Sequence, residues 1–236
     1  MPTYKTDAIV LSKRSLKEAD RLYVMYTKDY GKVEAKVRSA GSTRSKLAGQ
    51  LEPIVKTRVM IAKGKGFDTI AGAKMLKPFI FSNERQQAFA SLVSELIIKF
   101  IKPGVADVRI YDLLLAYFLV LEQGQTNLTE SKILTLRFIW QFLSMLGYQL
   151  DVNDRKFSLF PQLSENSKKL LESCLQKKSQ LTILKTSTTV VKELAIFTQS
   201  FLRYFSESDI KSYKYCIYPT PLADLNSNFV GNKNIY

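Results

Sequence analysis

Basic and aromatic side chains are interleaved along residues 1–80 of this sequence, in a pattern suited to binding nucleic acid. A protein that binds a single strand needs cations along the phosphate backbone and flat rings on which bases can stack. The candidate stacking rings are Tyr30, in a predicted turn, and Phe67, which follows a glycine-containing turn. The candidate cations are Lys13, Arg14, Lys17, Arg21, Lys32, Lys36, Arg38, Arg44, Lys46, Lys63 and Lys65.

The excess of positive charge is large and unevenly distributed. The chain of 236 residues has a formal net charge of +14. Residues 1–80 contain 17 lysines and arginines against 7 aspartates and glutamates, whereas the rest contains 18 against 14. Such an excess predicts an anionic partner, either nucleic acid or a membrane surface, although a basic half can also be simply a solvated surface. A membrane is the weaker alternative because the excess falls on predicted strands, not on a basic amphipathic helix.

Residues for catalysis or metal binding are largely missing. The sequence has no histidine, no Cys-x-x-Cys pair and no P-loop motif, which removes the commonest general base, the usual structural zinc sites and a Walker-type phosphate site. The segment Lys63 to Phe67, KGKGF, is rich in glycine, but it joins two predicted strands and opens no helix that could bind phosphate. We therefore predict a binding protein without catalytic activity, metal ion or cofactor. A nucleic-acid-processing enzyme with unrecognised acidic residues remains a rival.

The cellular compartment is predicted from cysteine content and the N-terminus. Only Cys174 and Cys216 are present, which is typical of a reduced cytoplasmic protein rather than a disulfide scaffold. No secretory signal precedes the first predicted strand. The longest apolar run, Leu113 to Leu121, is too short to span a bilayer, which needs roughly 20 residues.

Residues 1–79 are predicted to form a small β-barrel. Short segments with alternating or β-branched residues are separated by turn signals. In the third segment we expect the charged Lys32, Lys36 and Arg38 to face solvent, opposite the core-facing valines. Tyr23 and Tyr26 lie on opposite faces of the second segment, so one is expected in the core and the other exposed. Five strands in this length favour an OB-fold, with an SH3-like barrel as the alternative. The predicted strands are residues 6–14, 21–27, 32–40, 54–62 and 68–76.

Residues 80–215 are predicted to form a helical bundle, so the fold class is α+β. After Pro78 the apolar period changes from two to 3.6. Phe79 to Phe81 is expected to pack at the junction with the barrel. Residues 216–236 contain two prolines and no period, which predicts an irregular tail. The predicted helices are residues 83–101, 107–124, 129–147, 164–177 and 188–205, of which the third is apolar nearly all round and should be central.

The order and spacing of these residues resemble those of the RecO family of bacterial recombination mediators. The resemblance is clearest between Ala8 and Pro53 and continues loosely into the helical part. In the barrel it rests on Ile9-Val10-Leu11, Glu18-Ala19-Asp20-Arg21, Thr27, Gly31-Lys32, Ala40-Gly41, Ser45-Lys46-Leu47 and Leu51-Glu52-Pro53. In the helical part it rests on Leu136-Arg137-Phe138 and Leu146-Gly147-Tyr148.

The resemblance implies a nucleoid-associated protein of the bacterial cytoplasm that consists of an OB-fold and a helical domain. It implies binding of single- and double-stranded DNA and annealing of complementary strands. It also implies that the protein acts with RecR to load RecA recombinase onto strands coated by single-stranded-DNA-binding protein. The acidic C-terminal tail of that coating protein would dock on the helical bundle. An RNA- or ribosome-binding barrel without annealing activity remains the alternative.

One departure from the family concerns zinc. Many members carry four zinc-binding cysteines after the equivalent of Leu146-Gly147-Tyr148, whereas this chain continues QLDVNDRKFSLFPQL. The segment of about residues 150–165 is therefore predicted to be a zinc-free insert, in which Phe157, Leu159 and Phe160 pack in place of the metal. In the barrel, the loop GSTRSK from Gly41 to Lys46 is predicted to be a phosphate clamp.

Overall fold

A computed structural model describes residues 2–16, 19–42, 45–124, 127–148, 160–176, 186–206 and 209–217. The N-terminal part is a closed five-stranded barrel in the order β1-β2-β3-β5-β4, with β3 and β5 parallel and the other strand pairs antiparallel. This confirms the predicted OB-fold. The strands are β1 (Thr3–Ser15), β2 (Arg21–Thr27), β3 (Gly31–Val37), β4 (Val55–Ala62) and β5 (Asp68–Pro78), and a 3-10 turn (Ala48–Gln50) precedes β4.

Strand β1 closes the barrel because it pairs with two neighbours. Its first half pairs with β4 and its second half with β2, and the register of the second pairing shifts between Val10 and Ser12. Such a bulge bends a strand and increases its twist. Ala8 and Val10 lie in the barrel interior, whereas Ile9 and Leu11 belong to the core formed with the helices. The strand thus contributes one face to each of two cores.

The helical part packs around a central helix, as predicted. The described helices are α1 (Glu84–Phe100), α2 (Val108–Gln123), α3 (Leu128–Met145), α4 (Glu165–Leu175), α5 (Thr188–Ser206) and α6 (Lys211–Ile217). Helix α3 is buried on nearly every side and begins with a capping box between Asn127 and Glu130. The short helix α6 was not predicted, and it includes Cys216 and Ile217 of the segment expected to be an irregular tail. Cys216 is buried in the helical core, and residues 218–236 of that segment lie outside the described residues. Within the described ranges, no helix is long and apolar enough to cross a membrane.

The outer face of the barrel packs against the helices in a core that is separate from the barrel interior. Tyr26 is completely buried against the helices, and its hydroxyl donates to the Asp107 carbonyl over 3.1 Å. Tyr23 is buried inside the barrel. The expectation that one of these rings is exposed was therefore wrong, because the helices cover the outer face on which Tyr26 lies.

The junction segment after β5 is only partly buried. Phe79 packs on Phe118 with ring centroids 5.3 Å apart, and Phe81 lies 6.4 Å from the same ring. Ile80 points away and is 69% exposed, contrary to expectation. The extended backbone at this point alternates its side chains, so only the two flanking rings reach the core.

Buried tyrosines give the fold an expected sensitivity to alkaline pH. Burial raises the pKa of Tyr4 and of Tyr26 to about 12, and it also raises the pKa of Tyr111 and Tyr117. Unfolded tyrosine ionises near pH ~10. The stabilisation from these neutral phenols is therefore complete below pH ~10 and is lost as the pH rises towards ~12.

The chain has 12 tyrosines, and we expect the phenolate absorbance of the buried ones to appear only as helical circular dichroism is lost. A titration followed by both signals tests this expectation. Complete phenolate formation near the pH at which unfolded tyrosine ionises, with the helical signal unchanged, would contradict it.

Candidate nucleic-acid interface

Three of the predicted cations lie together on the outer face of β1, β2 and β3. Arg14 is directly opposite Leu22, and Leu22 is directly opposite Lys36. The two cations thus lie two strand spacings apart, about 10 Å, on either side of the buried leucine. Arg38 lies just beyond the end of β3 and is exposed, and the alternation of side chains along β3 places it on the same side as Lys36. We call Arg14, Lys36 and Arg38 the first basic face.

Phe67 directly precedes the residues of β5 that pair with β3. The two residues that follow it, Asp68 and Thr69, pair with Ala35 and Lys36 in the parallel ladder of β3 and β5. Its ring is 41% exposed. An exposed ring beside cations is the arrangement that stacks bases while the phosphates are neutralised. Phe67 therefore lies beside the middle of β3, the strand that carries Lys36.

Tyr30 lies apart from the first basic face. It is separated from Lys36 by about 20 Å along extended β3. Its ring is 39% exposed and packs on Tyr4, with ring centroids 4.1 Å apart. Lys63 lies over the Tyr4 ring at 5.3 Å from its centroid and forms an ion pair with Asp68 at 3.6 Å. Tyr30 and Lys63 thus form a group around the Tyr4 ring. This group adjoins Phe67, because Lys63 contacts Asp68, the next residue in the chain, and Lys65 is exposed in the same turn.

Other predicted cations contact the protein itself. Lys13 forms an ion pair with Glu52, and Arg21 donates to the Ser15 hydroxyl over 2.7 Å. Surface ion pairs of this kind contribute little to stability, so Lys13 can exchange its carboxylate for a phosphate. Lys46 is exposed in the loop before β4.

Lys32 is not an exposed cation, contrary to prediction. It is only 7% exposed, and its Nζ donates to the Ile98 carbonyl over 2.6 Å. Burial lowers the pKa of this ammonium group. The carbonyl belongs to the last turn of α1, where a cation is favourable. Lys32 therefore anchors the barrel to the helical domain, and we remove it from the set of nucleic-acid-binding residues.

Two predicted cations and most of the zinc-free insert lie outside the described residues. They are Lys17, Arg44 and residues 149–159, which include Phe157 and Leu159. Arg44 belongs to the predicted phosphate clamp, so that prediction stays a prediction. Phe160 is described: it is buried and packs on α5 at ring distances of 5.7 Å from Phe197 and 5.3 Å from Phe201.

The described part of the chain contains no group of three or more acidic or cysteine side chains that could hold a metal ion. Both cysteines are buried, and burial raises the pKa of each thiol to about 12, which disfavours the reactive thiolate.

Sequence reasoning missed a second group of cations on the barrel. Lys5, Lys56, Arg58, Lys74 and Lys77 lie on the outer face of β1, β4 and β5. We call these five residues the second basic face. Their alternation along the predicted fourth and fifth strands was visible in the sequence. The pairing of these strands, which brings the cations onto one surface, could not be read from the sequence.

Comparison with known proteins identifies relatives of both parts of the chain. The family model described as "Recombination protein O N terminal" matches residues 1–79, and "Recombination protein O C terminal" matches residues 85–167. Together the two models cover more than half of the chain.

Individual relatives carry the same name. The protein named DNA repair protein RecO from Dehalococcoides mccartyi strain 195 is 33% identical over 153 residues, which is 64% of this chain and 59% of the relative. Those from Geobacter metallireducens and Pelotomaculum thermopropionicum are 28% and 27% identical, over 65% and 63% of this chain. The matches cover 62% and 57% of those two proteins, so the chain spans about three fifths of the length of these relatives.

Proposed function

Because this chain belongs to the RecO family of DNA repair proteins, we propose that it is a recombination mediator that binds single- and double-stranded DNA and anneals complementary strands. The first basic face carries the proposal. Arg14, Lys36 and Arg38 lie within a short distance on one side of an OB-fold. The exposed ring of Phe67 directly precedes the part of β5 that pairs with β3. Faces of this type bind oligonucleotides in other OB-folds.

The mechanism needs no covalent chemistry. Two complementary strands repel one another, and cations that neutralise phosphates lower this repulsion. Each phosphate contact also releases condensed counterions, which makes affinity fall with rising salt. Stacking on Phe67 holds a base without reading its identity. In this proposal the protein is a mediator and not an enzyme, and pairing accelerates because strands are held at high local concentration.

The proposed partners follow from the family. We place the protein at the nucleoid of the bacterial cytoplasm, where it would act with RecR. It would load RecA onto strands coated by single-stranded-DNA-binding protein, whose acidic C-terminal tail would be drawn to lysines of the helical domain.

Annealing of two complementary strands coated with the cognate single-stranded-DNA-binding protein tests the proposal. We expect the wild-type protein to accelerate annealing, and RecA to assemble faster on the coated strand when RecR is also present. A helical-domain variant, Lys102→Ala/Lys169→Ala/Lys192→Ala, serves as a control for general loss of charge and should retain annealing of uncoated strands.

The alternative RNA-binding module predicts a different result. In that case the wild-type protein would bind structured RNA more tightly than single-stranded DNA and would not accelerate annealing at any salt concentration. This outcome would reject the mediator function.

A further inference from the structure

The second basic face consists of cations placed beside cations. Arg58 of β4 is directly opposite Lys74 of β5, and in the next row Lys56 is directly opposite Lys77. Like charges directly opposite one another in an antiparallel ladder destabilise the sheet. Two adjacent rows of this kind concentrate positive charge on one surface, and a bound polyanion would relieve the repulsion between them.

Carboxylates neutralise only part of this face. Asp7 forms an ion pair with Arg58 at 2.7 Å, and Glu122 forms one with Lys77 at 2.8 Å. Among the described residues, no carboxylate lies within ion-pair distance of Lys5, Lys56 or Lys74. Lys5 and Lys74 are exposed, and Lys56 is half-buried. Three unpaired ammonium groups thus remain on one surface.

The two basic faces lie on different sides of the barrel. The first lies on the outer side of β1, β2 and β3, and the second on that of β1, β4 and β5. In the closed order, β1 lies between β2 and β4. Along β1, Arg14 pairs with β2 and Lys5 with β4. A single molecule can therefore present cations to two separate polyanions.

We infer that the second basic face binds the phosphate backbone of a second DNA strand while the first basic face holds the first strand. This inference rests on the proposed function. Neighbouring strands lie ~5 Å apart and alternate outward residues ~7 Å apart, so the cations follow a repeat that an extended phosphodiester chain can match. Holding both strands on one barrel converts pairing into an encounter at high effective concentration.

The variant Lys5→Ala/Lys56→Ala/Lys74→Ala tests the inference without leaving a carboxylate unpaired. Removal of three phosphate contacts should weaken binding of the second strand by about 50-fold at 0.15 M salt. We expect the wild-type protein to bind two equivalents of a short non-complementary strand and the variant to bind one, with first-strand affinity unchanged. Annealing of uncoated complementary strands should slow by at least about tenfold, and thermal stability should be equal or higher because repulsion is relieved.

The outcomes separate this inference from the proposed function. A wild-type protein that binds one equivalent, or a variant that still binds two and anneals normally, would overturn the inference alone. A wild-type protein that binds no DNA would overturn both. Binding to vesicles containing anionic phospholipid that is lost in the variant, with annealing unchanged, would assign this face to a membrane surface instead.

Discussion

Replacing Gly31 by alanine is expected to lower the free energy of unfolding by about 3 kcal/mol or more. Gly31 has φ of +66°, which costs a non-glycine residue about 1–2 kcal/mol. A Cβ at this position would also lie 1.9 Å from the Val105 carbonyl oxygen. Because that atom belongs to the backbone, it cannot move aside as a flexible side chain could, and overpacking typically costs a further ~1–3 kcal/mol.

The effect should extend from the β2–β3 turn to the contact between the two domains. The side chain of the next residue, Lys32, donates a hydrogen bond to the Ile98 carbonyl. Its backbone carbonyl accepts a hydrogen bond from the Gly104 amide over 3.2 Å. Displacement of the segment around Val105 would break both contacts.

Urea denaturation of Gly31→Ala measures the loss of stability. Gly49→Ala is a matched control, because nothing lies within 4 Å of a Cβ built at Gly49 and its φ is not positive. Equal stability of the two variants would contradict the close approach of β3 to residues 104–106.

The second large effect is expected on DNA affinity. The variant Arg14→Ala/Lys36→Ala/Arg38→Ala should bind single-stranded DNA about 50-fold more weakly at 0.15 M salt. The figure follows from three lost phosphate contacts, each of which contributes about −0.7 to the slope of log affinity against log salt concentration. Because the electrostatic contribution vanishes at ~1 M salt, the two proteins are taken to have equal affinity there. These side chains lie on an outer face or beyond a strand end. None of them forms an ion pair with another described residue, so the fold should be retained.

Fluorescence anisotropy of a labelled strand measures this affinity. The helical-domain variant Lys102→Ala/Lys169→Ala/Lys192→Ala removes the same charge from another surface and should change affinity much less. Equal weakening by both variants would show that net charge alone, rather than the first basic face, determines binding.

Periodicity in the sequence predicted most of the fold, because it reports which side of an element is apolar. It identified all five strands and the five longer helices, and it placed the inward residues of β4 correctly. It missed α6, whose seven residues are too few for a helical period to emerge. It could not show the bulge in β1, because a bulge shifts the pairing and not the composition.

The candidate site was less predictable, since it depends on which strands become neighbours and what covers them. Lys32 and Lys36 occupy equivalent outward positions in β3, yet the helical domain covers only Lys32. Tyr26 is buried by the same domain. The second basic face brings together residues more than 60 positions apart in the chain, from Lys5 to Lys74. Alternation within one strand carries no information about such pairings.

The central claim is that the first basic face binds the phosphates of a DNA strand, and the salt dependence of affinity tests it most directly. Single-strand affinity would be measured for the wild-type protein and for Arg14→Ala/Lys36→Ala/Arg38→Ala over a range of salt concentrations. Three lost phosphate contacts predict a log–log slope shallower by about 2 in the variant, with the two lines converging near 1 M salt. Parallel lines of equal slope would show that these side chains do not contact phosphates, and would contradict the claim.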